Sequence, residues 1–117
     1  MYQYKANIIR IIDGDTLVAD LQLGFYITVQ LILRLQGINT AELNSSDPLQ
    51  RDLALKAKSF VEQKLILNKP ISVIIETSKS DKYGRWLAKV IYAGSDNISH
   101  HLNEELINEN LAKIYNP

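Results

Sequence analysis

The stretch TLVADLQLGFYITVQLILRLQ, residues 16–36, decides the fold. Apolar and polar side chains alternate along residues 16–23 and again along residues 26–36, which is the period of a β-strand with one buried face. Gly24-Phe25 between the two runs is typical of a tight turn. The stretch therefore predicts a long β-hairpin that directs one apolar face toward a core.

Three further strands and two helices are predicted on either side of the hairpin. The strands cover residues 6–12, 71–77 and 85–93, which are rich in Ile, Val and Leu. One helix is expected between Asp47, a suitable N-cap, and Pro70, and a second over residues 99–109. This order indicates an α+β fold, a five-stranded OB-type β-barrel with one helix between strands 3 and 4 and a second, C-terminal helix.

Length and composition indicate a single domain over residues 1–117. A chain of 117 residues with 46% hydrophobic content is long enough for one core and too short for two. It contains no cysteine, which excludes disulfides and thiolate chemistry. The N-terminus lacks the apolar stretch of a secretory signal, and no segment has the length of a membrane span. We therefore expect no membrane partner and favour the cytoplasm, with localisation otherwise open.

The charges balance overall but are unevenly distributed along the chain. Thirteen Lys and Arg residues balance thirteen Asp and Glu residues, yet residues 50–89 contain nine basic and four acidic side chains. This middle third is compatible with a basic face that binds nucleic acid. It is equally compatible with an ordinary solvated surface of mixed charge.

Residues suited to phosphodiester hydrolysis stand at the predicted strand ends, where a barrel brings its loops together. Two carboxylates flank Gly14, and a polar loop supplies an amide, a backbone carbonyl and another acid; such hard oxygen ligands suit Ca²⁺ or Mg²⁺. Two arginines from different strands can grip one phosphate through their fixed N–H donors. Each residue alone is ordinary in a turn or on a surface, so the hypothesis depends on the set. The candidates are Asp13, Asp15, Arg34, Asn39, Thr40, Glu42 and Arg85.

The order of these motifs resembles the staphylococcal thermonuclease family, whose members are calcium-dependent nucleases on an OB-type barrel. The resemblance runs from about Ile8 to Ala112. It is carried by Asp-Gly-Asp-Thr at 13–16, Arg34 with a loop ending at Glu42, Ala-Lys-Ser-Phe at 57–60, Asp-Lys-Tyr-Gly-Arg at 81–85, and Leu-Asn-Glu at 102–104.

Four residues match the family's metal site. Asp15 corresponds to the carboxylate that binds calcium directly, Asp13 to its outer neighbour, and Thr40 to the residue that lends a backbone carbonyl. Asn39 stands where the family normally has an aspartate, and Ala41 where it has a proline. The lost negative charge predicts weaker calcium binding and slower catalysis, and the lost proline predicts a freer loop.

The remaining matches concern catalysis and nucleotide binding. Glu42 corresponds to the carboxylate that orients or deprotonates the attacking water. Arg34 and Arg85 correspond to the two arginines that bind phosphate and stabilise its developing charge. The residues that match nucleotide-binding positions are Lys82, Tyr83 and, with a different spacing, Tyr115.

The resemblance implies a calcium-dependent nuclease that cleaves DNA or RNA, preferably single-stranded. The 5′-oxygen leaves and 3′-phosphate ends result, at a rate reduced by Asn39. The alternative is a non-catalytic module on the same barrel, which binds nucleic acid or peptide without chemistry. In either case we expect a monomer.

Overall fold

The computed structural model describes residues 2–116, and its elements follow the predicted order with three additional short strands. The elements are β1 (Tyr2–Asp13), β2 (Thr16–Gly24), β3 (Ile27–Leu35), β4 (Ile38–Thr40), α1 (Pro48–Glu62), β5 (Ser72–Ser80), β6 (Trp86–Ala93), β7 (Ser99–His101), α2 (Leu102–Asn108) and β8 (Ala112–Ile114).

Five strands close a barrel. They are hydrogen-bonded in the order β3-β2-β1-β5-β6, and β6 returns to β3 through a parallel pairing of Trp86 with Leu33 and of Ala88 with Leu35. Along the chain, helix α1 follows β3 and precedes β5, which are the third and fourth strands of the barrel. The predicted α+β barrel is therefore confirmed. Strand β7 extends the sheet beside β6, and β4 pairs with β8 in a separate two-stranded sheet.

The β2–β3 hairpin supplies much of the barrel core. Leu17, Leu21, Leu33 and Leu35 on its inward face are each no more than 1% exposed. Fully burying a leucine contributes about 2 kcal/mol, so the predicted alternation accounts for a large part of the core. Toward the turn the alternation no longer leads to burial, and Leu23 is 44% exposed.

Helix α1 begins where the sequence predicts. The side chain of Asp47 accepts a hydrogen bond from the backbone N–H of Leu49 at 3.0 Å, and Pro48 occupies the first turn. The face with Ala54, Ala57 and Val61 is buried against the barrel. The helix ends in a π-helical turn over Gln63–Leu67, and neither α-helix among residues 2–116 has the length and apolarity needed to cross a bilayer.

The second helix begins three residues later than expected. Residues 99–101 form β7, which pairs antiparallel with β6 and places His101 opposite Ile91. A three-residue strand gains its hydrogen bonds from a neighbour that is distant in sequence, so local periodicity does not predict it. Helix α2 then buries Leu102 and Leu106, and Asn110 adopts φ +59°, as expected of a residue that terminates a helix.

Candidate active site

One cleft of about 1110 Å³ collects all ten residues selected from the sequence. It is formed by the β1–β2 turn, the end of β3, the segment from β4 into the following loop, the β5–β6 loop and the residues after β8. These segments are far apart in the chain and converge because the barrel closes. The ten residues are Asp13, Asp15, Arg34, Asn39, Thr40, Glu42, Lys82, Tyr83, Arg85 and Tyr115.

The β1–β2 turn brings two carboxylates to this cleft. The side chain of Asp13 accepts a hydrogen bond from the backbone N–H of Asp15 at 3.0 Å, which closes the turn. Gly14 between them is buried, and a Cβ at this position would lie 2.7 Å from the Cβ of Ala57 on α1. Glycine is therefore required by the close approach of the helix, and α1 holds the two carboxylates in place.

Asp15 is anchored by contacts with three other residues of the chain. Its Oδ2 accepts a hydrogen bond from the backbone N–H of Thr40 at 3.0 Å, and its Oδ1 accepts one from the hydroxyl of Thr16 at 3.2 Å. Arg34 Nη2 lies 3.4 Å from Oδ2. Burial alone would raise the pKa of Asp15, but the hydrogen bonds from Asp13 and Thr40 and the charge of Arg34 together lower it.

Asp13 has the opposite electrostatic environment. Burial, followed by the hydrogen bond and negative charge of Asp15, raises the pKa of Asp13 to about 6. Two carboxylates held this closely share a proton or attract a cation. Among the described residues, no three Asp, Glu or His side chains gather closely enough to hold a metal ion by themselves. A metal at this pair would need neutral oxygen ligands as well, and Asn39 and Thr40 line the same cleft.

Asp13→Asn should stabilise the metal-free protein near neutral pH by about 1 kcal/mol. A raised pKa means that the folded state binds this proton more tightly than the unfolded chain, and this contribution is lost as the pH rises through about 6. A two-unit shift corresponds to roughly 3 kcal/mol, which we reduce because the group is only half-buried. Asparagine keeps the turn hydrogen bond and cannot ionise.

Urea unfolding in the presence of EDTA, near pH 7 and near pH 4, measures this effect. The gain should be present near pH 7 and absent near pH 4. Asp20→Asn on β2, whose side chain accepts a hydrogen bond from Gln30, is the control and should show no such pH-dependent gain. An equal gain at both pH values would contradict the prediction.

Arg34 is fixed inside the cleft although it lies on the outward face of β3. Its Nη1 donates to the backbone carbonyl of Leu35 at 2.8 Å, and its Nη2 donates to the amide oxygen of Asn39 and approaches Asp15. The side chain is only 12% exposed. Its guanidinium is therefore positioned before any ligand binds, and in the ligand-free protein Asn39 is one of its hydrogen-bond acceptors.

Arg85 is positioned by a loop built on Asp81. The Oδ2 of Asp81 accepts from Arg85 Nε at 2.9 Å and lies 2.8 Å from Arg85 Nη2, while its Oδ1 accepts the backbone N–H groups of Tyr83 and Arg85. Gly84 closes the loop at φ +81°, a conformation that favours glycine. One carboxylate thus organises both the loop and the arginine, whose outer N–H groups stay available to a ligand.

Two tyrosines give the cleft an aromatic part. The ring of Tyr83 lies 5.2 Å from Lys82 Nζ and 5.3 Å from Arg85 Cζ, and its side chain is 71% exposed. The backbone N–H of Tyr115 donates to the carbonyl of Gly37 at 2.8 Å, which brings this residue from the C-terminal segment to the cleft. Both rings have the exposure needed to stack on a planar ligand.

Glu42 lies in the loop that follows β4 and is exposed in the cleft. Its backbone carbonyl accepts a hydrogen bond from the N–H of Ser45 at 3.2 Å, which forms a turn in the loop. Its carboxylate is thus presented to solvent from the same opening as the arginines.

Several polar residues of the cleft were not among the sequence candidates. They are Gln36, Asn44, Lys79, Asp81 and Asn116. The Asp-Lys-Tyr-Gly sequence at 81–84 is typical of an Asx-turn and could have pointed to Asp81. No local pattern marks Lys79, because its place beside the cleft depends on how β5 enters the loop.

Comparison with known proteins agrees with the architecture. The family described as staphylococcal nuclease homologue matches residues 32–117. A thermonuclease of Staphylococcus hyicus is 31% identical over 113 residues, which cover 95% of this chain and 60% of that protein. An uncharacterised protein of Methanocaldococcus jannaschii is 28% identical over 130 residues, with 96% of this chain and 59% of that protein covered. The chain spans about three-fifths of the length of these relatives.

The family match falls within the barrel domain that the structure describes. The match begins in β3, includes Arg34, Glu42 and Arg85, and extends to the end of the chain. It covers the end of β3, the strands β5 and β6 and both helices, whereas β1, β2 and most of β3 precede it. This chain therefore belongs to the family of staphylococcal nuclease homologues.

Proposed function

We propose that this protein is a nuclease that hydrolyses phosphodiester bonds of DNA or RNA, preferably single-stranded, with Ca²⁺ as its metal ion. The main support is the pair of arginines. Arg34 comes from β3 and Arg85 from the β5–β6 loop, each is oriented by a carboxylate, and both line the cleft that holds the Asp13–Asp15 pair. Guanidinium groups fixed in this way suit a phosphate and the negative charge that grows on it.

The residues of the cleft divide the hydrolysis between them. Arg34 and Arg85 bind the phosphate and stabilise the charge of the pentacovalent transition state. Glu42 orients the attacking water and accepts its proton as the new oxygen–phosphorus bond forms. The bond to the 5′-oxygen breaks, and this oxygen leaves with a proton from Arg85 or solvent. The products carry a 3′-phosphate and a 5′-hydroxyl, as the family resemblance implies.

The donor set of the cleft fits calcium. Asp15, with Asp13 behind it, would supply carboxylate oxygens, while Asn39 and the Thr40 carbonyl would supply neutral ones. Calcium prefers such hard oxygen ligands and tolerates mixed sets of this kind. When bound, the ion would offset negative charge on the phosphate and polarise water.

The substrate preference rests on the exposed aromatic and basic side chains. Tyr83 and Tyr115 can stack on unpaired bases, whose faces are hidden in a duplex. Lys79 and Lys82 line the same cleft and can contact the backbone phosphates on either side of the cleaved bond. Stacking tolerates every base, so this arrangement favours cleavage with little sequence specificity.

A cleavage assay on labelled single-stranded DNA and RNA, with calcium raised to high concentration, tests the proposal. We expect cleavage that EDTA abolishes and that Glu42→Gln lowers by at least 100-fold. Glu104→Gln on the exposed surface of α2 is the matched control and should keep full activity. Binding without cleavage at any calcium concentration would instead favour the non-catalytic module.

Asn39→Asp should tighten calcium binding by about tenfold and raise the cleavage rate. The amide oxygen of Asn39 accepts from Arg34, and a carboxylate would keep that contact while adding a negative charge beside Asp15. Titration calorimetry with calcium measures the affinity. Asn7→Asp, at an exposed position of β1, makes the same change of charge and should leave the calcium affinity unaltered. Equal calcium affinities of the unmodified protein and both variants would show that the ion does not bind beside Asn39.

A further inference from the structure

Part of strand β3 has an open edge. Within the region that the structure describes, residues 27–32 are paired with β2 on one side, while the pairing of β3 with β6 begins only at Leu33. The backbone N–H and C=O groups on the other side of this segment therefore face outward. Such an edge is a ready template for another strand.

The open edge is apolar and uncharged. Residues 21–33 contain no charged side chain and no proline, so two of the usual devices that protect an edge strand are missing. Ile27 is 55% and Ile32 is 45% exposed. An exposed edge of this composition is stabilised when a second strand covers it.

The turn of the same hairpin displays two unsupported aromatic rings. Phe25 and Tyr26 adopt φ +55° and +61°, a conformation that costs roughly 1 kcal/mol or more for each such residue. Phe25 is 93% exposed and Tyr26 is fully exposed. Contacts within the single chain therefore do little to offset the strain, and the rings lie beside the open edge.

We propose that the β3 edge binds a second copy of this chain, so that the protein forms a two-fold symmetric dimer in which the β3 strands pair antiparallel. The sequence alone favoured a monomer, since it does not show that this edge is open. Each copy supplies an edge of the same length without charge, so no like charges meet across the axis. Self-complementary surfaces of this kind suit a symmetric dimer.

Other partners fit the hairpin less well. Nucleic acids and anionic membranes attract Lys and Arg side chains, and residues 11–33 contain neither. The exposed groups are instead a row of backbone donors and acceptors, which a β-strand satisfies.

The geometry of the pairing follows from the symmetry. A two-fold axis perpendicular to the sheet keeps side chains on their own face, so the residue nearest the axis lies opposite itself. An axis at Val29 places Ile27 of one copy opposite Leu31 of the other, and these side chains continue the inward apolar face of β3. Arg34 lies five residues from this axis, about 17 Å along the strand, outside the segment that pairs from Ile27 to Leu31. The dimer does not depend on the proposed nuclease activity.

Sedimentation velocity over a wide range of protein concentrations tests the dimer. The unmodified protein should shift from one chain to two as concentration rises, and Ile27→Lys should weaken this association at least tenfold. Leu55→Lys on α1 replaces a side chain of equal exposure, 56% against 55%, and should associate like the unmodified protein. The proposal is overturned if the unmodified protein stays a single chain at every concentration, or if both variants lose the same amount of association. This holds even if the single chain binds lipid vesicles or another protein.

Disulfide cross-linking provides a second test that does not require a charged substitution. The chain contains no cysteine, so Val29→Cys or Gln30→Cys introduces a single thiol near the proposed axis. Under mild oxidation at least one of these variants should form covalent dimers much faster than Leu55→Cys. Cross-linking of both at or below the rate of Leu55→Cys overturns the proposal.

Discussion

Arg85→Lys should lower the rate of single-strand cleavage by 100- to 1000-fold while leaving the fold intact. Arg85 directs Nε and Nη2 to one oxygen of Asp81, and its other N–H groups stay free for a phosphate oxygen. A lysine has a single nitrogen and cannot pair with Asp81 and grip the phosphate in the same fixed geometry. The loss of one preorganised donor at a developing oxyanion typically costs this much.

Kinetic constants on a labelled single-stranded oligonucleotide measure the effect, which should appear mainly in kcat. Arg10→Lys on exposed β1 is the matched control and should retain full activity. Asp81→Asn separates positioning from charge, because it keeps the acceptor for the backbone of Tyr83 but weakens the hold on Arg85. We expect about a tenfold loss for this variant; an unchanged kcat in Arg85→Lys would remove Arg85 from the proposed mechanism.

Asn103→Ala should destabilise the protein by about 3 kcal/mol. The Nδ2 of Asn103 donates to the carbonyls of Gln36 and Ala88 at 3.0 and 3.1 Å, and its Oδ1 accepts the N–H of Val90 at 3.1 Å. Ala88 keeps a second donor in the N–H of Gln36, but the Val90 N–H and the Gln36 carbonyl lose their partner. Each unsatisfied buried group costs roughly 1–3 kcal/mol.

Urea unfolding compares this variant with Asn108→Ala, which changes an exposed residue of the same helix. Asn108→Ala should alter the free energy of unfolding by less than about 0.5 kcal/mol. A loss of 3 kcal/mol is a large share of the 5–15 kcal/mol typical of a domain. Similar values for the two variants would mean that water replaces the Asn103 amide.

Asn103 connects distant parts of the chain, whereas Arg85 is positioned by a carboxylate only four residues away. Asn103 joins α2 to the end of β3 and to β6, and Gln36 itself lines the cleft. The stability of the barrel and the shape of the cleft are therefore coupled through one amide. The sequence marks Asn103 as part of a family motif, but its three hydrogen bonds appear only in the structure.

The sequence was sufficient wherever a structural preference is local. The alternation along residues 16–36 specified the hairpin, because a period of two can bury only one face of a strand. Asp47-Pro48 specified the start of α1 through a cap and a fixed φ. The strands β4, β7 and β8 were missed, since each has three residues and depends on a partner elsewhere in the chain.

The sequence by itself determined which residues are candidates for phosphate chemistry and in what order they follow along a five-stranded barrel. Only the tertiary structure decided that these residues share one cleft, that the pKa of Asp13 is raised, that Arg34 has three partners, and that Asp81 positions Arg85. It alone also revealed the open edge of β3. The physical reason is that side-chain type and periodicity act over a few residues, whereas burial, ion pairing and strand neighbours depend on contacts between distant segments, such as the pairing of Ile38 with Ile114.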